Sequence, residues 1–136
     1  IYLCQMIILL KDLPKISLNK WYAGMHWTKR KKIKDNYTQI VSSQFTKVLS
    51  KDTSYQVEYH FTFKSRPLDA SNCVAMVKMI EDIIFETDSY KVVTELVITS
   101  SKGLEDKVEI KIKSGVQDWL SIEDKNGGGN GDNEVN

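Results

Sequence analysis

Asp69, Asn72, Lys78, Asp82 and Asp88 fall within one 20-residue window. Packing a helix there requires its apolar residues, but nothing in packing requires carboxylates and a lysine around its ends. Two carboxylates held 4 Å apart repel by about 4 kcal/mol at an effective dielectric of 20 unless a cation or a proton intervenes. Oxygen donors with no His or Cys beside them favour Mg²⁺, or Mn²⁺, over zinc. Such an ion can hold a phosphate oxygen, lower the pKa of an attacking water and stabilise a leaving alkoxide, with Lys78 offsetting the charge of the phosphorane. Phosphodiester hydrolysis fits these parts. Asp69, Asp82 and Asp88 are the expected metal ligands, and with Lys78 they are the expected catalytic set.

The same residues admit a plainer reading. Asp69 caps the helix, Lys78 and Asp82 form an i,i+4 pair worth a few tenths of a kcal/mol, and Asp88 opens a turn. The three acids converge only if that turn brings Asp88 back towards the helix.

A second group lies upstream. Lys29, Arg30, Lys31, Lys32 and Lys34 place five cations in six positions at a helix start, where the macrodipole favours acids. They form either a solvated helix face or a set of phosphate contacts. Just before them, Asn19, Lys20, Trp21, Tyr22, His26 and Trp27 interleave cations, rings and an amide, a composition suited to stacking on bases. His26 has no second His at ligand spacing, so it reads as a hydrogen-bonded loop residue rather than a metal ligand or catalytic base.

These groups need elements to position them. The apolar run in residues 5 to 11 predicts a strand buried on both faces. Residues 13 to 27 read as an aromatic-rich loop. Thr28 then caps a helix to about Leu49, with Ile33, Tyr37, Ile40, Val41, Phe45 and Val48 on one stripe. Tyr55, Val57, Tyr59, Phe61 and Phe63 alternate with polar residues, which predicts a strand over residues 54 to 64. Helical spacing returns over residues 71 to 85, a turn follows near Asp88, and residues 91 to 99 and 107 to 113 are expected to pair as a hairpin around Gly103. Trp119 and Leu120 are expected to dock a last short segment. The order predicts an α+β fold: one domain over residues 1 to 124, a mixed sheet of about four strands and two helices packed on it. Residues 126 to 136 are Gly, Asn and acid with almost nothing to bury, and residues 125 to 136 are expected to be a disordered tail.

With 136 residues, 41% of them hydrophobic, the chain can build one core but not two domains. A formal net charge of +1 means that any nucleic-acid footprint comes from local clustering. Cys4 and Cys73 stand in no metal-binding or disulfide pattern, so a reducing, cytoplasmic setting is expected. The stretch from Met6 to Leu10 is too short to span a bilayer, and no membrane association is expected.

Taken together, Ser17-Leu18-Asn19-Lys20, Tyr22-Ala23-Gly24, His26-Trp27, the order of elements and the acidic window resemble the RusA-like Holliday-junction resolvases. These are small endodeoxyribonucleases often carried by prophages. The similarity covers about residues 6 to 113. The family has an Asp-x-Asp-Asn helix entrance, a Lys followed four residues later by Asp, and an Asp-Asp pair at the turn. Asp69, Asn72, Lys78, Asp82 and Asp88 match that pattern, whereas Ser71 and Thr87 stand where it has two further acids. The resemblance implies a homodimeric, Mg²⁺-dependent enzyme of recombination and repair that nicks four-way DNA junctions. Asn19, Lys20, Tyr22, Arg30, Lys31, Lys32 and Asn72 are its expected DNA contacts. A relative that binds DNA without cutting it is the alternative that Ser71 and Thr87 leave open.

Overall fold

Strand alternation places Tyr55, Val57, Tyr59, Phe61 and Phe63 on one side of β3 (Tyr55–Phe63), and all five are buried. The structure is a computed structural model that describes residues 3–115 and 123–124. Around β3 lie β1 (Leu3–Lys11), β4 (Val93–Lys102) and β5 (Lys107–Gly115), in the sheet order β1, β5, β3, β4. β5 runs antiparallel to both β1 and β3, whereas β4 runs parallel to β3. The sheet is therefore mixed, as a strand, crossover helix, strand unit within an otherwise antiparallel set requires.

Two long helices complete the core. α2 (Trp27–Gln44) contributes Tyr37 and Val41, and α3 (Val74–Ile84) contributes Met76, Val77, Ile80 and Ile84. These residues form one cluster with Ile8, Leu10, the β3 face, Val108, Ile110 and Ile112. Each fully buried side chain of this size contributes about 1.5–3 kcal/mol. The arrangement is the α+β fold read from the sequence. No described helix is long and apolar enough to cross a membrane.

Several elements differ from expectation. β1 is buried on one face only: Ile8 and Leu10 are enclosed, while Ile7 is 55% and Leu9 45% exposed. It is a sheet edge whose far face looks to solvent, the usual state of an antiparallel strand. The loop after it contains a short helix, α1 (Leu18–Tyr22), whose first turn is closed by the Ser17 hydroxyl accepting the Lys20 N–H. His26, not Thr28, caps α2, with its Nδ1 accepting the Thr28 N–H at 3.2 Å.

α2 stops at Gln44, five residues early, and the Gln44 side chain ties this end to β1. Its side chain accepts the Lys11 N–H at 2.7 Å and donates to the Lys11 carbonyl at 2.8 Å. Phe45 is already extended, and β2 (Lys47–Val48) pairs with β6 (Glu123–Asp124) outside the main sheet. The expected docking of Trp119 and Leu120 and the tail over residues 125 to 136 lie outside the described residues.

The expected hairpin is not formed. β4 and β5 each pair with β3, which lies between them. Their four-residue connection straddles the end of β3, a gap of about 9.6 Å that four extended residues, reaching about 13 Å, can span. Gly103 donates its N–H to the Phe63 carbonyl at 2.9 Å, and the Asp106 carboxylate accepts the Lys64 N–H at 2.9 Å. A Cβ on Gly103 would lie 2.4 Å from the Thr62 methyl, so any larger residue at this crossing would force the Thr62 side chain to move.

Candidate functional site

The segment after α3 doubles back. Phe85 leaves the helix in extended conformation, its N–H bound to the Glu81 carbonyl. Three residues later Asp88 reaches Lys78, with Nζ to Oδ2 at 2.6 Å. The turn thus brings Asp88 two helical turns up α3, and it is Asp88, not Asp82, that pairs with Lys78. The bond to Asp88 raises the Lys78 ammonium above its ordinary value, and the ammonium holds Asp88 below the usual carboxylate range. Asp82 is exposed but near enough that its charge raises both Lys78 and Glu81.

Glu81 was not among the expected site residues. It is 4% exposed, and its Oε2 is buried without a hydrogen-bond partner. Burial pushes its carboxyl up to about 7; Lys78 counteracts this, while Asp88 and Asp82 add to it. Next to it the Tyr59 hydroxyl, also buried without a partner, is raised well above its ordinary value by burial and then by the Glu81 charge. A signal for Glu81 does exist in the sequence. It lies four residues after Val77 and three before Ile84, on the stripe that faces the core.

Asp69 is placed elsewhere. It precedes a 3₁₀ turn (Ala70–Cys73) that runs directly into α3, and its carbonyl accepts the Asn72 N–H at 2.8 Å, with no bond from its own carboxylate. From Asp69 to Lys78 the chain climbs roughly 15 Å at the rises of 3₁₀ and α helix. Asp69 does act on Cys73, a buried thiol pushed up to about 11 chiefly by burial and further by that carboxylate. Among the described residues no three His, Cys, Asp or Glu side chains gather in a form that could hold a metal. The set Asp69, Asp82 and Asp88 is therefore not assembled, whereas Asp88, Glu81 and Lys78 are together. The two carboxylates offer oxygens only, beside the Lys78 ammonium, and the buried Glu81 Oε2 has no hydrogen-bond partner.

α1 packs against the 3₁₀ turn and α3, which sets the segment carrying Asn19, Lys20 and Tyr22 beside Asp69 and Asn72. Asn19 and Lys20 are exposed and Tyr22 is 71% exposed, as are the Trp27 ring and the cations Lys29, Lys31, Lys32 and Lys34 on α2. Asn72 is half-buried. Arg30 turns inward: its guanidinium lies 5.4 Å from the Trp21 ring centre and donates to the Trp21 carbonyl at 2.7 Å. It fastens α1 to α2. Lys34 lies 6.0 Å from the same ring, and Lys31 bonds Asp35 at 2.9 Å. Compared with known protein families and with curated proteins, this chain matches none.

Proposed function

We propose that the chain is a divalent-metal-dependent endodeoxyribonuclease that nicks branched DNA, with the four-way junction as its substrate. The observation that carries this reading is the Lys78–Asp88 pair at 2.6 Å beside the buried Glu81. A cation and a carboxylate on α3, with a second carboxylate folded back over it from the following turn, form an arrangement that can take a metal on one side and a phosphodiester on the other. Mg²⁺, held at Asp88, would supply Lewis-acid stabilisation of the phosphorane oxygens. Lys78, more than half exposed in its side chain, faces outward far enough to meet the charge of a scissile phosphate.

The surrounding surface supports a nucleic-acid substrate. Lys20 on α1 and Lys29 and Lys32 on α2 are exposed cations suited to phosphate contact. The exposed Tyr22 and Trp27 rings offer faces on which bases unpaired at a branch point stack. A homodimer presents two such sites to a substrate of two-fold symmetry, so that both strands are nicked in one encounter.

Asp88→Asn is the direct test. It removes the charge that both Lys78 and a metal require, and it should abolish Mg²⁺-dependent nicking while junction binding in a gel-shift assay stays largely intact. Nicking at the wild-type rate by Asp88→Asn would remove the proposed site from the chemistry.

A second reading is favoured by Ser71 and Thr87 and by the failure of Asp69, Asp82 and Asp88 to assemble. In it the chain binds branched DNA through the same surface but does not cut it. Salt-sensitive binding by a wild-type protein that leaves every strand intact is its signature.

A further inference from the structure

We propose that Tyr90 and Lys91 form a nucleotide subsite beside the Lys78–Asp88 pair: the Tyr90 ring stacks on an unpaired base flanking the scissile phosphate, and Lys91 holds a phosphate of the same strand. The inference deepens the nuclease reading and rests on it for the position of the cut, although the stacking itself can be measured on DNA that is never cut.

The segment that returns Asp88 to α3 continues into a second bend. The Ser89 carbonyl accepts the N–H groups of Val92 at 2.9 Å and Val93 at 3.0 Å, which closes a tight turn with Tyr90 and Lys91 at its two central positions. Pro, Gly, Asn and Asp serve such positions for conformational reasons, and the bend itself needs neither a ring nor a long cation. The core does not use them either. Tyr90 is 81% exposed, and Lys91 is exposed beside it. The turn is pinned on both sides: Asp88 before it is held by Lys78 at 2.6 Å, and Val92 after it is buried, its carbonyl accepting the Tyr55 N–H at 2.6 Å. The backbone under Tyr90 is therefore fixed, and the ring is held out in water. An aromatic presented on a fixed backbone loses little freedom when it meets a ligand.

The chemistry of the pair selects the ligand. The Lys91 ammonium lies 5.9 Å from the centre of the Tyr90 ring. A ring beside a cation matches the repeating unit of a single strand, a base face next to an anionic phosphate. Distance then fixes which nucleotide is met. Two residues span at most about 7 Å, and successive nucleotides of a duplex strand rise by about 3.4 Å, so a strand whose phosphate lies at Lys78 and Asp88 brings its next base or two to Tyr90. Tyr22 and Trp27, on α1 and α2, have no such tie to Asp88. Tyr90 is thus a positioning residue that sets the register of the strand at the cut.

The test is a gel-shift series with the full-length chain, in the presence of chelator, on synthetic four-way junctions that each carry one abasic nucleotide near the branch. Wild type should bind about tenfold more weakly when the lesion falls at one position or its two-fold mate, the effect of a lost base–aromatic stack. Tyr90→Ala should bind the intact junction about tenfold more weakly and be indifferent to that lesion. Tyr90→Phe, which keeps the ring, should match wild type on both substrates. Both variants change an exposed side chain, so both should fold. Tyr22→Ala should keep the sensitivity to the lesion, and Lys91→Gln should lower the slope of log K against log salt by roughly 1. With Mg²⁺, wild type should nick at a phosphate adjoining the sensitive nucleotide. Wild-type affinity in Tyr90→Ala, a loss in Tyr90→Ala that simply adds to that of every lesion, or a nick elsewhere on the strand overturns the proposal. Coupling of Tyr90 to one nucleotide in a protein that never nicks contradicts the nuclease reading and leaves the stacking standing. Nicking by wild type together with an unaffected Tyr90→Ala overturns the subsite alone, and a wild type that binds no branched DNA overturns both.

Discussion

A carboxyl buried to 4% exposure and pushed up to about 7 gives stability a pH dependence opposite to that of a salt-bridged acid. Unfolded, Glu81 releases its proton near the ordinary value of 4.5; folded, it keeps that proton to about 7. The folded state binds more protons in between, so the stability this group permits is full below about pH 4.5 and lost as pH rises through about 7. The loss amounts to at most about 3 kcal/mol. Asp88, held low by Lys78, works the other way and weakens the fold as pH falls. Urea unfolding across this range should show Glu81→Gln losing the decline that wild type shows between pH 5 and 8, and identical profiles would contradict the assignment. At this scale the sequence was partly legible. Lys78 and Asp88 stand out as charges that packing does not require, but helix spacing offered Asp82 as the nearer partner for Lys78. The return of Asp88 depends on a turn, and the burial of Glu81 depends on β3, whose Tyr59 lies beside it; neither is local to the residue.

β3 was readable from alternation alone because one of its faces is wholly buried and the other is not. Pairing is a different matter. Residues 93 to 102 and 107 to 115 are joined by four residues and look like a hairpin, yet β3 lies between them because a short connection can straddle one strand. The contact that makes this possible, Gly103 against Thr62, joins residues far apart in sequence. Gly103→Ala should destabilise the fold by about 1–3 kcal/mol through overpacking, and adding Thr62→Ala should restore most of the loss in the double variant, since it removes the methyl 2.4 Å away. No recovery in the double variant would mean that the crossing does not run as described. The end of α2 is likewise held non-locally: the Gln44 side chain bonds the backbone of Lys11, a partner that helix periodicity cannot reveal.

Over the whole molecule the charge is nearly balanced at +1, so attraction to DNA must come from where the cations lie. Arg30 is committed to Trp21 and Lys31 to Asp35, whereas Lys29 and Lys32 are exposed at the start of α2. Replacing both by Gln should reduce the slope of log K against log salt by roughly 2 for junction binding, and an unchanged slope would remove α2 from the interface. Cutting is the decisive property. Incubated with a synthetic four-way junction and Mg²⁺, the wild-type protein is predicted to place paired nicks in two opposing strands, and to place none when the metal is chelated. An intact junction under Mg²⁺ and Mn²⁺ alike, with protein demonstrably bound to it, would contradict the account.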